Sequence, residues 1–258
     1  MTHQGQTESL EGLTIVGDRG RFPKVTLVEP TKSGYLLLAA EVDHRPPFMF
    51  GLESSKKRKA KSILKAAASE SRNAPGLIDA NVFRALLLPP GRKPIRKTWQ
   101  AMAPARFDLV FLLEFDTPAS AAAFEASQTW QDLETTIEQI ARRTLSIEAT
   151  NARRIGSVDH SKDGIFLFNF FVADELERNL SIWEYTAGWF EDQTGLNNST
   201  LLIPAPVQTD HTVINHCRWD SLSDILPSLL FKRSFHTFVL ANFSANATTA
   251  MPILYSRA

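Results

Sequence analysis

The chain has 258 residues, room for one large domain or two small ones. Hydrophobic residues make up 43% and charged residues 22%, the balance of a globular protein. Lys plus Arg and Asp plus Glu each total 28, so no surplus of positive charge draws the chain to nucleic acid or an anionic membrane, and the lone Cys217 excludes an intrachain disulfide.

The polar start MTHQGQTESLEG lacks a signal-peptide core, and residues 1–20 read as a flexible tail. The first strong strand is GYLLLAAEV, Gly34 to Val42. A helix follows from Lys56 to about Glu70, with Ser54-Ser55 available as its N-cap. Its basic run, Lys56 to Lys61, reads as a solvated face rather than a phosphate or RNA site, since no aromatic residue interleaves it. Leu77 to Leu88 is a strand closed by Pro89-Pro90-Gly91. Residues 91–105 read as a loop, and Phe107 to Phe115 as the next strand. Thr117-Pro118 opens a helix, with Pro at its first position. Trp130, Leu133, Ile137 and Ile140 give it one buried stripe. Thr144 to Thr150 is a strand. No apolar run nears the roughly 20 residues of a membrane span, so a cytoplasmic location is expected.

The same order then repeats. Gly164 to Val172 is a strand. Leu176, Leu180, Trp183, Ala187 and Phe190 form a helical stripe that ends at Gly195, with Tyr185 and Trp189 off it. Ser199 to Ile203 and Thr212 to Trp219 are strands, Leu222 to Phe243 is helical, and Thr248 to Tyr255 is the last strand. A repeat of this size outranks any single motif in fixing the fold. Each half, 21–156 and 157–258, reads as a split βαββαβ unit of the ferredoxin-like kind, an α+β arrangement. Such a unit leaves one sheet face bare. Two units in one chain can cover each other, so the expected architecture is two antiparallel sheets packed face to face as an intramolecular barrel. In element order, over about residues 30–258, the chain resembles the dimeric α/β-barrel superfamily with both repeats fused.

Alternation assigns faces within each strand. In 107–115 the odd positions are all large and apolar and are expected against the helices. Asp108, Val110, Leu112 and Glu114 then face the space between the halves. Matching His211–Trp219 to this strand puts Thr212, Ile214, His216 and Arg218 on the same side. In the first strands, Leu36, Leu38, Ala40 and Val42 match Phe166, Phe168, Phe170 and Val172 as the helix-facing side. The facing list is then Tyr35, Glu41, Glu114, Asn169, Phe171, His216 and Arg218, a few polar groups in apolar surroundings, as in a small-molecule pocket. His216 is the expected proton carrier, Arg218 the holder of an anionic group, and Glu114 or Glu41 the second acid–base. Tyr35, Asn169 and Phe171 would contact substrate. The competing reading makes His216–Arg218 a structural polar pair, and Glu41 and Glu114 partners in salt bridges across the seam.

The six histidines show no i, i+4 pair of metal-site type, and His211 and His216, five apart, are expected on opposite faces. Cys217 should be a buried, inert thiol. No phosphate loop or nucleophile elbow is present. The resemblance implies a cofactor-independent enzyme for a small, partly apolar molecule, acting by oxygenation, decarboxylation, isomerisation or cyclisation. It leaves two alternatives: a binding or stress-related module whose cavity is filled by its own side chains, and a haem protein with His216 or His236 as axial ligand. No nucleic-acid or membrane partner is expected. Internal pairing allows a monomer, and outer sheet edges allow a homodimer.

Overall fold

A computed structural model describes residues 12–17, 20–89, 103–205 and 209–258. Most of the expected 91–105 loop, and most of the expected tail, lies outside these. The first half contains β1 (Gly34–Glu41), α1 (Ser55–Glu70), β2 (Leu77–Leu87), β3 (Leu109–Phe115), α2 (Pro118–Glu125), α3 (Gln128–Glu138) and β4 (Arg143–Gly156). The second contains β5 (Ile165–Ala173), α4 (Leu176–Thr194), β6 (Ser199–Pro204), β7 (Val213–Trp219), α5 (Leu222–Phe231), a π-helical turn (Phe235–Leu240), α6 (Ala241–Ala245) and β8 (Thr248–Arg257). No helix among the described residues is long and apolar enough to cross a membrane.

Local chemistry sets the helix ends. The Ser54, Thr117 and Ser127 hydroxyls each accept an N–H of the first turn of α1, α2 and α3. The single helix expected after Pro118 is therefore two, because Ser127 restarts it. Gly195 stops α4 in the left-handed region, at φ 68°. Ser221 and Asp224 form a capping box on α5.

The strands close into an antiparallel barrel in the order β1-β3-β2-β8-β5-β7-β6-β4. Each half contributes four neighbouring strands. The seams are β2 with β8 and β4 with β6. The barrel thus pairs the outer edges of the two sheets with each other.

Three apolar clusters fill the molecule. One lies inside the barrel and takes residues from all eight strands, including Leu37, Phe83, Val110, Ile147, Phe168, Leu202, Ile214 and Tyr255. The second lies between the first half's sheet and α1–α3, around Leu38, Phe111 and Trp130. The third lies between the second half's sheet and its helices. Ahead of β1, Leu13, Ile15, Phe22, Val25 and Leu27 also join this third cluster. Two helical expectations change. Lys57, inside the basic run, is fully buried, and Tyr185 and Trp189 are core residues like Trp183.

Candidate functional site between the second sheet and its helices

Antiparallel order puts the starts of β1 and β5 and the ends of β3 and β7 at one mouth of the barrel. Tyr35, Glu114, His216 and Arg218 all belong to this mouth, but each has its own partners. Glu114 accepts from Ser33 at 2.7 Å and from Tyr35 at 2.9 Å. Burial, and then the charge of Glu114, push the Tyr35 hydroxyl above its ordinary pKa. Arg218 pairs with Asp220 at 2.8 Å and donates to the Asp163 carbonyl. His216 bonds to His160 at 2.8 Å and, through Nδ1, to the Leu167 carbonyl at 3.0 Å. Glu41 sits at the opposite mouth with Arg143 at 3.3 Å and His44 at 2.6 Å. The seam salt bridges that the competing reading gave to Glu41 and Glu114 are therefore replaced by local partners.

The expected face assignment holds for β1 and the body of β3. It fails at the start of β3 and throughout β5. Phe107 precedes the strand and packs inside the barrel rather than against the helices. Asp108, buried beside it, accepts from the Val42 and Asp43 amides at 2.9 and 2.8 Å, and its carboxylate lies 3.9 Å from the Lys57 amine. In β5 every side chain is reversed. Phe166, Phe168, Phe170 and Val172 fill the barrel, while Leu167 and Phe171 face the helices. The reason is a register slip of one. Ile165, not Gly164, is the counterpart of Gly34: Gly34 pairs with Phe115 and Ile165 with Trp219. Gly164 instead lies in the preceding turn, where a Cβ would stand 2.4 Å from the Trp219 carbonyl oxygen. His211 likewise precedes β7 and packs on Phe107 and Phe170, so it and His216 share the barrel side, contrary to the spacing argument. Burial, and then the Arg143 charge, bring the His211 pKa down to about 4.

The slip moves Asn169 from the barrel into the space between sheet and helices. Two adjoining cavities of about 40 and 30 Å³ lie there. Leu167, Asn169, Phe190, Trp219 and Phe243 belong to the walls of both. The larger continues between Ile225 and Leu229 of α5 and Phe235 and Val239 of the π-helical turn. The smaller continues toward Trp183 and Thr186 of α4, with Ser199, Asn215 and Cys217 on the sheet side. Asn169 is only 9% exposed, and its Oδ1 has no hydrogen-bond partner. A buried acceptor without a donor costs about 1–3 kcal/mol. It is the one orphaned polar atom, among the described residues, that belongs to a wall of both cavities. The roof is irregular: Pro227 lies inside α5, where it offers no backbone N–H, and the turn after the helix is π-helical, a form found often at functional sites.

Neither histidine expected as an axial ligand faces these cavities. His216 lies inside the barrel with both ring nitrogens engaged, and His236 is exposed on the outer side of the π-helical turn. Haem does not fit these two cavities of about 40 and 30 Å³, whose described walls hold no histidine. Burial pushes the Cys217 thiol far up, so it is an apolar wall. Sequence reasoning missed the aromatic and aliphatic lining from α5 and the π-helical turn. It picked out Asn169, the one polar residue in the run Ile165–Ala173, and put it on the wrong face.

No protein-family model and no curated protein matches the sequence. Solved structures do. An anthrone oxidase-like protein superposes with a TM-score of 0.64 at 9% identity, over 91% of this chain and 94% of its own. A monooxygenase-like protein of Fusobacterium nucleatum subsp. nucleatum superposes with a TM-score of 0.54 at 10% identity, over 88% of this chain and 93% of its own. At such identities the likeness is one of fold, and it runs nearly the whole length of each chain. With its strand order, its two βαββαβ halves and these neighbours, the chain has the dimeric α/β-barrel fold, both repeats joined in a single polypeptide.

Proposed function

We propose that the protein is a small-molecule enzyme whose substrate lies between the second sheet and its helices, not inside the barrel. The observation that carries this reading is the orphaned Asn169 Oδ1 in an otherwise apolar wall. Such a site selects a compact, largely apolar molecule with one donor, such as a phenol or enol hydroxyl. The Phe190 and Phe243 rings belong to both cavities, so their rotation would merge the two spaces. The names of the two neighbours, anthrone oxidase-like and monooxygenase-like, agree with oxidative chemistry on such molecules. This chain's contribution would be binding, orientation and exclusion of water. His216, Arg218 and Glu114 stay outside the reading, since their partners lie at the barrel mouth.

A second reading, a binding module without turnover, is favoured by one observation: the described cavity walls contain no carboxylate and no imidazole to move a proton. Dioxygen uptake with a hydroxylated aromatic substrate, measured against the substrate alone, separates the two. The site itself is tested by tryptophan fluorescence, with Trp219 in the wall as reporter. 1-Naphthol should bind about fivefold more tightly than naphthalene, the value of one net hydrogen bond of about 1 kcal/mol. Asn169→Leu should abolish that preference while raising stability by about 1 kcal/mol, because the orphaned acceptor is gone. Equal binding of both probes by the unmodified protein would remove the site.

A further inference from the structure

The segment joining the two halves, residues 157–164, carries a histidine that touches both. His160 is only about a tenth exposed at its side chain and is inserted at the barrel mouth beside Phe83 and Phe166. Its Nδ1 lies 2.7 Å from Asp79 Oδ2 of β2, in the first half. Its Nε2 lies 2.8 Å from His216 Nε2 of β7, in the second half. The other nitrogen of His216 bonds to the Leu167 carbonyl at 3.0 Å, and its ring stacks on Phe168 at 4.1 Å. Three hydrogen bonds thus run in line from a half-exposed carboxylate to a buried carbonyl.

Both ends of this line are acceptors, a carboxylate and a carbonyl. The bond to Asp79 needs a hydrogen on His160 Nδ1, and the bond to Leu167 needs one on His216 Nδ1. The middle bond needs one hydrogen on either Nε2. That makes three hydrogens on four nitrogens, whereas two neutral imidazoles carry two. With only two, at least one of the three contacts sets lone pair against lone pair, or lone pair against oxygen, whichever tautomers are chosen. With four, the middle contact sets N–H against N–H. The line is complete only with one extra proton, whose charge the Asp79 carboxylate balances.

We propose that this line is a proton-dependent latch, which fastens the inter-repeat connector across the barrel mouth when it holds that one proton and releases the connector when the proton leaves. Burial assigns the extra proton to His160: His216 is fully enclosed, and burial, followed by the charge of His160, holds it well below its ordinary pKa. Burial raises the Asp79 carboxyl, but the His160 hydrogen bond and charge outweigh this and bring it below its usual range, so it stays ionised against the latch. The other charged groups about the latch are paired. Arg257 of β8 donates to the His160 carbonyl and meets Asp163 at 3.3 Å. Arg218 of β7 holds the Asp163 carbonyl and Asp220, and Lys162 meets Asp159 at 3.2 Å. Among these contacts imidazole is the one kind of group whose ordinary range lies between about pH 5 and 8.

The full chain, labelled with ¹⁵N at histidine, reports the hydrogens directly. Long-range nitrogen–proton spectra at about pH 5.5 should show His160 with hydrogen on both nitrogens and His216 with hydrogen on Nδ1 alone. Protection factors of amides 157–164, corrected for intrinsic exchange, should fall at least tenfold on going to about pH 8. His160→Gln, an exchange on the connector that leaves the buried His216 in place, should remove this fall, and Asp79→Asn should weaken it. A neutral His160 at the lower pH overturns the proposal. So does protection that is equal at the two pH values, or a fall that persists in His160→Gln.

Discussion

Lys57 carries no accessible surface, although it sits in the densest run of charge in the chain. Its amine donates to the Phe50 carbonyl at 3.2 Å and faces Asp108 at 3.9 Å. Burial lowers the lysine and raises Asp108 to about 6, despite two backbone N–H donors on that carboxylate. Between its ordinary value of 3.8 and about 6 the native protein holds a proton on Asp108 that the unfolded chain has released. Stability therefore falls as pH rises through this window, by up to about 1.4 kcal/mol per pH unit from this group, and the loss is complete above it. Asp108→Asn should flatten that slope relative to the unmodified protein, as read from urea midpoints across the window. An unchanged slope would mean that the carboxyl titrates normally. The basic run was legible as charge, but not this burial. Positions 57, 60, 64 and 67 of α1, three and four apart, face the sheet, and a long amine can lie there only when a carboxylate and a carbonyl receive it.

At the scale of elements, composition and turn residues located nearly every strand and helix, because caps, glycines and alternation are local properties. What they could not locate was where alternation begins. β5 is apolar at every position but Asn169, so its sequence carries no face signal of its own, and a slip of one residue reverses all of it. The segment ahead of β1 shows the same limit. Thr14 and Val16 lie in a stretch that reads as a tail, yet two buried asparagines, Asn242 of α6 and Asn246 at its C-terminal cap, hold their backbone. Asn246 bonds to the N–H and C=O of Thr14, and Asn242 to those of Val16, at 2.8 to 3.1 Å. Pro23 then runs so close to α4 that a Cβ on Gly188 would stand 1.8 Å from its carbonyl oxygen. These bonds ask nothing of the tail's own side chains, so its sequence gives no warning of them. Asn242→Ala with Asn246→Ala should free the amides of Thr14 and Val16 to exchange at nearly intrinsic rates, while the β8 amides stay protected. Undiminished protection at residues 14 and 16 would show that apolar packing of Leu13 and Ile15 alone holds the arm.

For the whole molecule, the barrel interior draws on both halves, and its aromatic pairs cross between them. Phe83 of β2 lies 5.0 Å from Phe166 and 5.1 Å from Phe168 of β5, and Phe107 lies 5.1 Å from Phe170. Each such ring is worth about 1.5–3 kcal/mol of burial that neither half can obtain alone. The two halves should therefore open together. Native-state hydrogen exchange in low urea should give amides of β3 and β7 one common free energy of global opening, and two separate plateaus would show that the halves are independent. The same shared interior explains why the expected pocket moved. A space lined by so many phenyl rings from both sheets is filled by them, and the cavities beside Asn169 lie instead under the irregular helical roof of the second half.

The repeat, the order of strands and helices and the bare face each half must cover follow from residue patterns alone, since hydrophobic period and capping act within a few positions of the chain. The closed seams, the reversal of β5, the burial of Lys57 and the meeting of His160 with Asp79 and His216 belong to tertiary structure. They depend on contacts between residues far apart along the chain, and on register, which a uniformly apolar strand leaves free until its neighbours fix it.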